Sequence, residues 1–157
     1  MRVLFVCLGN ICRSPTAEAV MQTTLEKAGL HHVDVESAGT SSLHRGEAPD
    51  KRSQMAAKKR GYDMSGQRAR QVIIEDFYEF DFILAMDASN LAFLEELNPG
   101  NGKAKVDLFL KYHPQELRNY DVPDPYWGGK SGFEKVLDLI EGAAHGLLPH
   151  LQGEKDA

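Results

Sequence analysis

The sequence predicts an α/β fold built on a parallel sheet, because short apolar runs alternate along it with longer amphipathic stretches. Connections as long as these suit crossover helices, which bring successive strands into parallel pairing. The chain has 157 residues, 42% of them hydrophobic and 26% charged. A single domain over residues 1–157 is therefore expected, long enough to bury a core.

The first half of the chain alternates strand and helix patterns. The apolar run over 2–7 predicts a strand, and residues 15–28 predict a helix that ends near Gly29. Residues 33–37 alternate in polarity and predict a second strand. A basic segment near 50–60 predicts a second helix. Its basic residues either form a solvated face or attract acidic phosphopeptides.

The second half continues the alternation. Residues 80–86 predict a third strand, and Asp87 is placed to cap the helix that follows it. Residues 105–108 predict a short fourth strand. The stretch 112–132 is rich in Pro, Gly and Asp and predicts a loop, whereas 132–151 predicts a last amphipathic helix.

Charge and cysteine content exclude several classes of function. A net charge of −5 argues against a nucleic-acid binder, which usually presents a basic face. Two cysteines are too few for a disulfide scaffold. The first apolar run is too short for a signal peptide, and no run is long enough to insert into a membrane. We therefore expect a cytoplasmic protein.

The most informative segment lies between the first strand and the first helix, where the chain reads Cys7-Leu8-Gly9-Asn10-Ile11-Cys12-Arg13-Ser14. A loop at a helix N-terminus can direct several backbone N–H groups and the helix dipole at one anion. An arginine there can grip two oxygens of a phosphoryl group, and the same field stabilises a thiolate over a thiol. The segment predicts a site where sulfur attacks a bound phosphate.

Individual loop residues support this interpretation. Gly9 and Asn10 both tolerate the positive φ that a loop curled around an anion needs. Ser14 can either donate its hydroxyl to the Cys7 sulfur or cap the helix, and the sequence leaves both roles open. Pro15 suits the first turn of a helix.

Cleavage of a phosphoester also needs an acid to protonate the leaving group. The best candidate is Asp124, held between two prolines and followed by the aromatic residues Tyr126 and Trp127. By contrast, Asp50 and Asp87 are interpreted as structural residues at helix starts. No pair of histidines has metal-ligand spacing, so neither a metal nor a cofactor is expected.

The Cys7 loop and the distant Asp124-Pro125-Tyr126 together resemble the low-molecular-weight protein tyrosine phosphatases. The resemblance implies an α/β fold as one three-layer domain, a four-stranded parallel sheet with helices on both faces. Met64-Ser65 lacks the following histidine of many eukaryotic members, which favours a bacterial type. The resemblance covers the whole chain and includes three further segments, Ser37-Ala38-Gly39-Thr40, Ala69-Arg70-Gln71 and Ala85-Met86-Asp87.

The resemblance implies a role for each residue of the site. Cys7 is the nucleophile, Arg13 the phosphate clamp, and Asp124 the general acid that later activates water. Leu43 stands where many members place an aromatic wall residue, and Trp127 stands where tyrosine is more usual. Cys12 is implied as a redox partner of the nucleophile. The remaining members of the phosphate-binding loop are Leu8, Gly9, Asn10, Ile11, Cys12 and Ser14, and Leu43, Tyr126 and Trp127 line the substrate pocket.

The implied reaction is hydrolysis of phosphotyrosine and small aryl phosphates through a cysteinyl-phosphate. Implied partners are tyrosine-phosphorylated proteins, a bacterial tyrosine kinase among them, with phosphate, sulfate or vanadate as competitive ligands; a weak dimer stays open. Protein arginine phosphatases also resemble the chain, but they tend to carry Thr where Ile11 stands. A phosphoprotein-binding module without turnover is the remaining alternative, although such a module gains nothing from a general acid.

Overall fold

A four-stranded parallel sheet lies at the centre of the structure, a computed structural model that describes residues 1–125 and 129–152. The strands are Arg2–Cys7 (β1), Asp34–Gly39 (β2), Phe82–Ala85 (β3) and Lys105–Leu108 (β4). Their spatial order is β2-β1-β3-β4, and every neighbouring pair is parallel. The predicted α/β class and the four-stranded parallel sheet are confirmed.

Helices cover both faces of this sheet, as predicted. The helices are Arg13–Lys27 (α1), Lys51–Lys59 (α2), Asp76–Glu79 (α3), Ala88–Leu97 (α4) and Gly129–Gln152 (α5). Alternate residues of β1 point to opposite sides, so Phe5 packs with α1 and α5, whereas Leu4 packs with α3 and α4. A 3₁₀ turn over Phe109–Tyr112 follows β4. No helix among residues 1–125 and 129–152 is long and apolar enough to cross a membrane.

The sheet register brings three loops to one edge. Cys7 at the end of β1 pairs with Gly39 at the end of β2, and Val6 pairs with Ala85 at the end of β3. The carboxyl ends of these strands therefore lie side by side, which is where open α/β sheets bind their ligands. The segments that leave β1, β2 and β3 must all meet at this edge.

Several element boundaries differ from the predicted ones. β2 continues to Gly39, because the N–H of Gly39 bonds to the carbonyl of Arg70 and its own carbonyl accepts from Val72. α5 begins at Gly129 rather than at the predicted residue 132. The predicted start is too late because the first turn contains glycines, which have low helix propensity. The short α3 was not predicted. It is stabilised by Asp76, whose carboxylate accepts from the N–H of Ile73.

Candidate active site

A cleft of about 190 Å³ opens at the carboxyl edge of the sheet. It brings together Cys7, Arg13 and Asp124, which the sequence places up to 117 positions apart, with the predicted wall residue Leu43. The predicted wall residues Tyr126 and Trp127 lie outside the described residues. The lining of the cleft consists of Cys7, Leu8, Gly9, Ile11, Cys12, Arg13, Ser41, Leu43, His44, Asp124 and Pro125.

The thiol of Cys7 lies at the base of the cleft and is almost fully buried. Its sulfur lies 3.0 Å from the hydroxyl of Ser14 and accepts a hydrogen bond of 3.3 Å from the N–H of Asn10. The N–H of Asn10 places one donor against the sulfur, and in the contact with Ser14 either atom can be the donor. Of the two roles left open for Ser14, the structure shows the contact with Cys7. The N-cap position of α1 is occupied by Cys12.

The backbone of the loop turns its N–H groups toward the cleft. The carbonyl of Leu8 accepts from Ser41, and the carbonyl of Ile11 accepts from Asp50 at 2.7 Å. In a trans peptide the C=O and N–H point in opposite directions, so the matching N–H groups of Gly9 and Cys12 face away from these partners. Together with the start of α1, these N–H groups form a cradle for an oxyanion.

Asn10 takes the left-handed conformation that was predicted, with φ of 56°. Gly9 also tolerates positive φ but does not adopt it; among the described residues, Asn10 is the one non-glycine residue that does. Gly9 has a different use. A Cβ added to it would lie 3.0 Å from the ring of His44, so the missing side chain admits this ring to the rim of the cleft.

The side chain of Asn10 holds the loop from behind. Its amide donates to the hydroxyls of Ser14 and Ser37, both at 2.9 Å, and its oxygen accepts from the N–H of Arg70 at 3.0 Å. Ser37 in turn donates to the carboxylate of Glu18 at 2.8 Å. These contacts hold the side chain of Asn10 in one orientation and tie the loop to β2 and α1.

Burial affects the ionisation of Glu18 at the end of this chain of contacts. Burial raises the pKa of the Glu18 carboxyl, the hydrogen bond from Ser37 opposes the rise, and the charge of Glu36 adds to it. The carboxyl therefore takes up a proton more readily than an exposed glutamate does. The folded protein binds that proton more tightly than the unfolded chain.

Arg13 projects from the first turn of α1 with only 11% of its side chain exposed. Its guanidinium donates to the carboxylate of Asp87 at 2.6 Å and to the carbonyl of Val122 at 3.0 Å. Burial is the largest influence on Arg13 and lowers its pKa. The hydrogen bond to Asp87 and the charges of Cys7, Asp87 and Asp124 together outweigh it, so the pKa of Arg13 is raised. The side chain is thus charged and held in one orientation beside Cys7.

Asp124 lies at the exposed rim of the cleft. Its loop is anchored on both sides, because the N–H of Val122 bonds to the carbonyl of Met86 at 2.7 Å and Pro125 is buried. Asp124 and Arg13 line the same cleft, and the charge of Asp124 contributes to the raised pKa of Arg13. A carboxyl in the same cleft as a nucleophilic sulfur is suited to protonate a leaving group.

The second thiol has a different environment. The Cys12 sulfur lies 2.9 Å from the hydroxyl of Ser53 on α2, and both cysteines are free thiols. Burial raises the pKa of Cys12 to about 12, and the hydrogen bond with Ser53 only partly opposes this. Cys12 is therefore a neutral thiol at ordinary pH, which suits it poorly to nucleophilic attack.

Sequence reasoning missed three contributors to this site. Asp87 caps α4 as predicted, because its carboxylate accepts from the N–H of Asn90, but it also binds Arg13. Ser37 supports Asn10, and His44 lines the cleft and pairs with Glu47 at 3.1 Å. The signal available for Asp87 and His44 is their position after parallel strands, and for Ser37 it is a polar residue near the carboxyl end of β2.

Comparisons with known proteins agree with this geometry. Residues 2–157 match the family model described as low molecular weight phosphotyrosine protein phosphatase. A low molecular weight protein-tyrosine-phosphatase of Streptomyces coelicolor is 45% identical, over 94% of this chain and 91% of its own. A crystal structure of a protein tyrosine phosphatase from Entamoeba histolytica, with Hepes in its active site, superposes with a TM-score of 0.92 at 40% identity, covering 99% of both chains. A Drosophila arginine phosphatase superposes with a TM-score of 0.89 at 35% identity, covering 96% of this chain and 97% of its own.

Proposed function

Because this chain belongs to the low molecular weight phosphotyrosine protein phosphatase family, we propose that it hydrolyses phosphotyrosine and small aryl phosphates through a cysteinyl-phosphate. One observation carries the proposal: Cys7, Arg13 and Asp124 line the same cleft. A nucleophile, a phosphate clamp and a proton donor are the groups that metal-free cleavage of a phosphoester requires. The match over residues 2–157 supports one phosphatase domain.

In the first step the Cys7 thiolate attacks phosphorus from the base of the cleft. Arg13 and the N–H groups of the loop bind the equatorial oxygens, and they stabilise charge as it shifts in the transition state. Asp124, protonated at this stage, gives its proton to the leaving phenol oxygen as the P–O bond breaks. The products are the free phenol and a cysteinyl-phosphate.

In the second step Asp124, now a carboxylate, takes a proton from a water molecule that attacks phosphorus. The S–P bond breaks, inorganic phosphate is released and the Cys7 thiolate is restored. The hydroxyl of Ser14, 3.0 Å from the sulfur, stabilises the thiolate as it leaves. Phosphate and its analogues sulfate and vanadate would bind the same loop and compete with substrate.

The substrate class follows from the cleft wall. Leu43 is 79% exposed at the rim and offers an aliphatic surface to one face of a phenyl ring. Tyr126 and Trp127 are proposed as the aromatic residues that recognise the substrate ring. Partners are then tyrosine-phosphorylated proteins, with a bacterial tyrosine kinase as one candidate. The two free cysteines favour a reducing compartment, the cytoplasm.

Arginine phosphatase activity is a second candidate, because a Drosophila arginine phosphatase is among the structural neighbours. Ile11 lines the cleft at the position where arginine phosphatases tend to carry threonine. Its branched apolar side chain leaves less room for a guanidinium and offers it no hydrogen bond. This favours a phenyl ring over phosphoarginine.

Phosphate release from matched phosphotyrosine, phosphoserine and phosphoarginine peptides, without added metal, tests the proposal. Fast release from phosphotyrosine by the wild type, absent in Cys7→Ser, is the expected result. Faster release from phosphoarginine would replace the assignment with the second candidate. A protein that binds these peptides but turns over none of them would be a binding module, and the proposed function would be wrong.

We also propose that Cys12 protects the nucleophile during oxidation. Peroxide would convert the Cys7 thiolate to a sulfenic acid, and the Cys12 sulfur would then displace water to form a disulfide. Both thiols belong to one loop and both are free. The raised pKa of Cys12 makes this displacement slow, so the disulfide competes with further oxidation rather than preventing it altogether.

A further inference from the structure

The exposed side of α2 carries a concentration of positive charge. Its nine residues include four cations and no acid, whereas the whole chain has a net charge of −5. At 100° per residue the exposed positions fall on one face of the helix, opposite the buried Ser53 and Ala57. We call this surface the α2 basic face, and it consists of Lys51, Arg52, Met55, Lys58 and Lys59.

An apolar side chain lies at the centre of the α2 basic face. Met55 is 64% exposed and separates two grooves. One groove, of about 320 Å³, lies between α2 and α5 and is lined by Arg52, Met55, Lys59 and Phe133 among others. The other, of about 770 Å³, runs along α2 beside Lys51 and Lys58. A flexible methionine ringed by cations suits an apolar residue embedded in an acidic segment.

Acidic groups at these grooves do not cancel the charge. Glu134, at the first groove, is already bound by Arg60 at 2.8 Å. Asp63, at the second groove, accepts hydrogen bonds from the N–H and hydroxyl of Ser65. Two cations and one acid line each groove, although Arg52 also lies 3.7 Å from the carboxylate of Asp50. The lysines of the α2 basic face therefore outnumber the acids that line the two grooves.

The α2 basic face lies next to the catalytic cleft. The residue before α2, Asp50, donates its N–H to the carbonyl of Ile11 in the phosphate-binding loop at 2.7 Å. On the other side, Pro125 lines the cleft and lies close to Gly132, which precedes Phe133 of the first groove. α2 is about 13 Å long, a distance that about four residues of extended peptide would span.

We propose that the α2 basic face binds an acidic segment of the substrate protein, within a few residues of its phosphotyrosine, with an apolar side chain of that segment beside Met55. This rests on the proposed function and adds the substrate class to it. The phosphotyrosine in the cleft holds the flanking segment at high local concentration, so that a weak attraction suffices. Cations near a reaction site also raise the rate of encounter with anionic partners.

A peptide suits this surface better than a nucleic acid or an anionic membrane. The cations occupy one side of a nine-residue helix, whereas the chain as a whole is acidic. A long polyanion or a lipid surface would therefore face repulsion beyond the helix. A short acidic segment contacts the α2 basic face alone.

The test compares two phosphotyrosine peptides of otherwise identical sequence. On one side of the phosphotyrosine, one peptide carries aspartate and glutamate residues, and the other carries asparagine and glutamine at the same positions. The variant is Lys58→Glu/Lys59→Glu, and its matched control is Lys27→Glu/Lys105→Glu. The control has the same charge change, but Lys27 ends α1 and Lys105 begins β4, at the sheet edge opposite the cleft. p-Nitrophenyl phosphate, which has no flank, reports on the chemistry itself.

We expect the wild type and the control to prefer the acidic peptide by about tenfold in kcat/KM at low ionic strength, and less at high salt. The variant should lose this preference and keep its rate on p-nitrophenyl phosphate. Met55→Ala should lower kcat/KM for both peptides without changing their ratio. Equal rates of the wild type on both peptides, or equal loss in the control, would overturn the proposal.

Two binding measurements test the α2 basic face without relying on catalytic turnover. Binding of both peptides to Cys7→Ser, with and without the α2 substitutions, is measured by fluorescence anisotropy and should show the same preference. No turnover of p-nitrophenyl phosphate by the wild type would refute the proposed function but would leave this binding preference measurable. Anionic vesicles that bind the wild type and not the variant, while peptide preference is absent, would reassign the α2 basic face to membranes and overturn the proposal.

Discussion

The guanidinium of Arg13 lies 2.6 Å from the carboxylate of Asp87, a residue 74 positions further along the chain. The two oxygens of that carboxylate have separate partners, since one binds Arg13 and the other accepts from the N–H of Asn90 at the start of α4. One side chain thus caps α4 and holds the guanidinium of Arg13, at the start of α1, in one orientation. The loops after β1 and β3 are joined through it.

Replacing Asp87 by asparagine should separate these two functions. Asparagine caps helices as well as aspartate does, so the free energy of unfolding should fall by only about 1 kcal/mol. Arg13 loses its charged partner and its fixed orientation, so kcat should fall by about tenfold or more. Rates on p-nitrophenyl phosphate and urea unfolding measure the two effects. Asp81→Asn is the control, because Asp81 binds Arg2 and Lys103 away from the cleft; a kcat for Asp87→Asn equal to that of this control would contradict the assigned role.

Replacing Asp124 by asparagine should slow the release of poor leaving groups most. A general acid contributes about 10²-fold or more when the leaving group is basic, so phenyl phosphate should suffer more than dinitrophenyl phosphate. Affinity for vanadate should change little, because Arg13 and the loop N–H groups bind it. Asp121→Asn is a matched control from the same loop. Equal losses on both substrates, or a parallel loss of vanadate affinity, would argue against proton donation by Asp124.

Oxidation by peroxide should inactivate the enzyme reversibly, and Cys12 should determine how much activity returns. After brief exposure, dithiothreitol should restore the wild type further than Cys12→Ser, because only the wild type can form the internal disulfide. Because the pKa of Cys12 is raised, a higher pH during exposure makes more Cys12 thiolate and speeds disulfide formation relative to further oxidation of Cys7. The activity recovered should therefore increase with the pH of the exposure. Cys12→Ser recovering as fully as the wild type at every pH would show that Cys12 has no protective role.

The buried carboxyl of Glu18 should make stability depend on pH. Its pKa in the folded protein is raised above the ordinary 4.5. At pH values between 4.5 and that raised pKa, the folded state therefore binds more protons than the unfolded state. The free energy of unfolding must then fall as pH rises through this window. Glu18→Gln retains an oxygen that accepts from Ser37 and removes the charge. Unfolding in urea at pH 4 and pH 7 should show a smaller decrease for this variant than for the wild type, and an identical decrease would exclude Glu18 as the cause.

The sequence pattern predicts those structural features that depend on residues close together in the chain. Asp87 was recognised as the cap of α4 because a cap depends on the three residues that follow it. Its contact with Arg13 depends on the order β2-β1-β3-β4, which places the ends of β1 and β3 together. No pattern within a few residues of Asp87 carries that information.

The same distinction applies to the phosphate-binding loop. The left-handed Asn10 was predicted from its residue type, but its partners Ser37 and Arg70 come from two other segments of the chain. The short α3 escaped prediction for a related reason. Its Asp76 is paired by Arg70 at 3.0 Å, so the turn depends on a contact outside the helix itself.

The hydrogen bond from Arg13 to the carbonyl of Val122 also bears on the order of biosynthesis. The ribosome makes Cys7 more than a hundred residues before it makes the carbonyl of Val122. A nascent chain therefore contains Cys7 long before Arg13 can be held in place or Asp124 can reach the cleft. Phosphatase activity should first appear on the ribosome only after the segment that contains these late residues has emerged and docked.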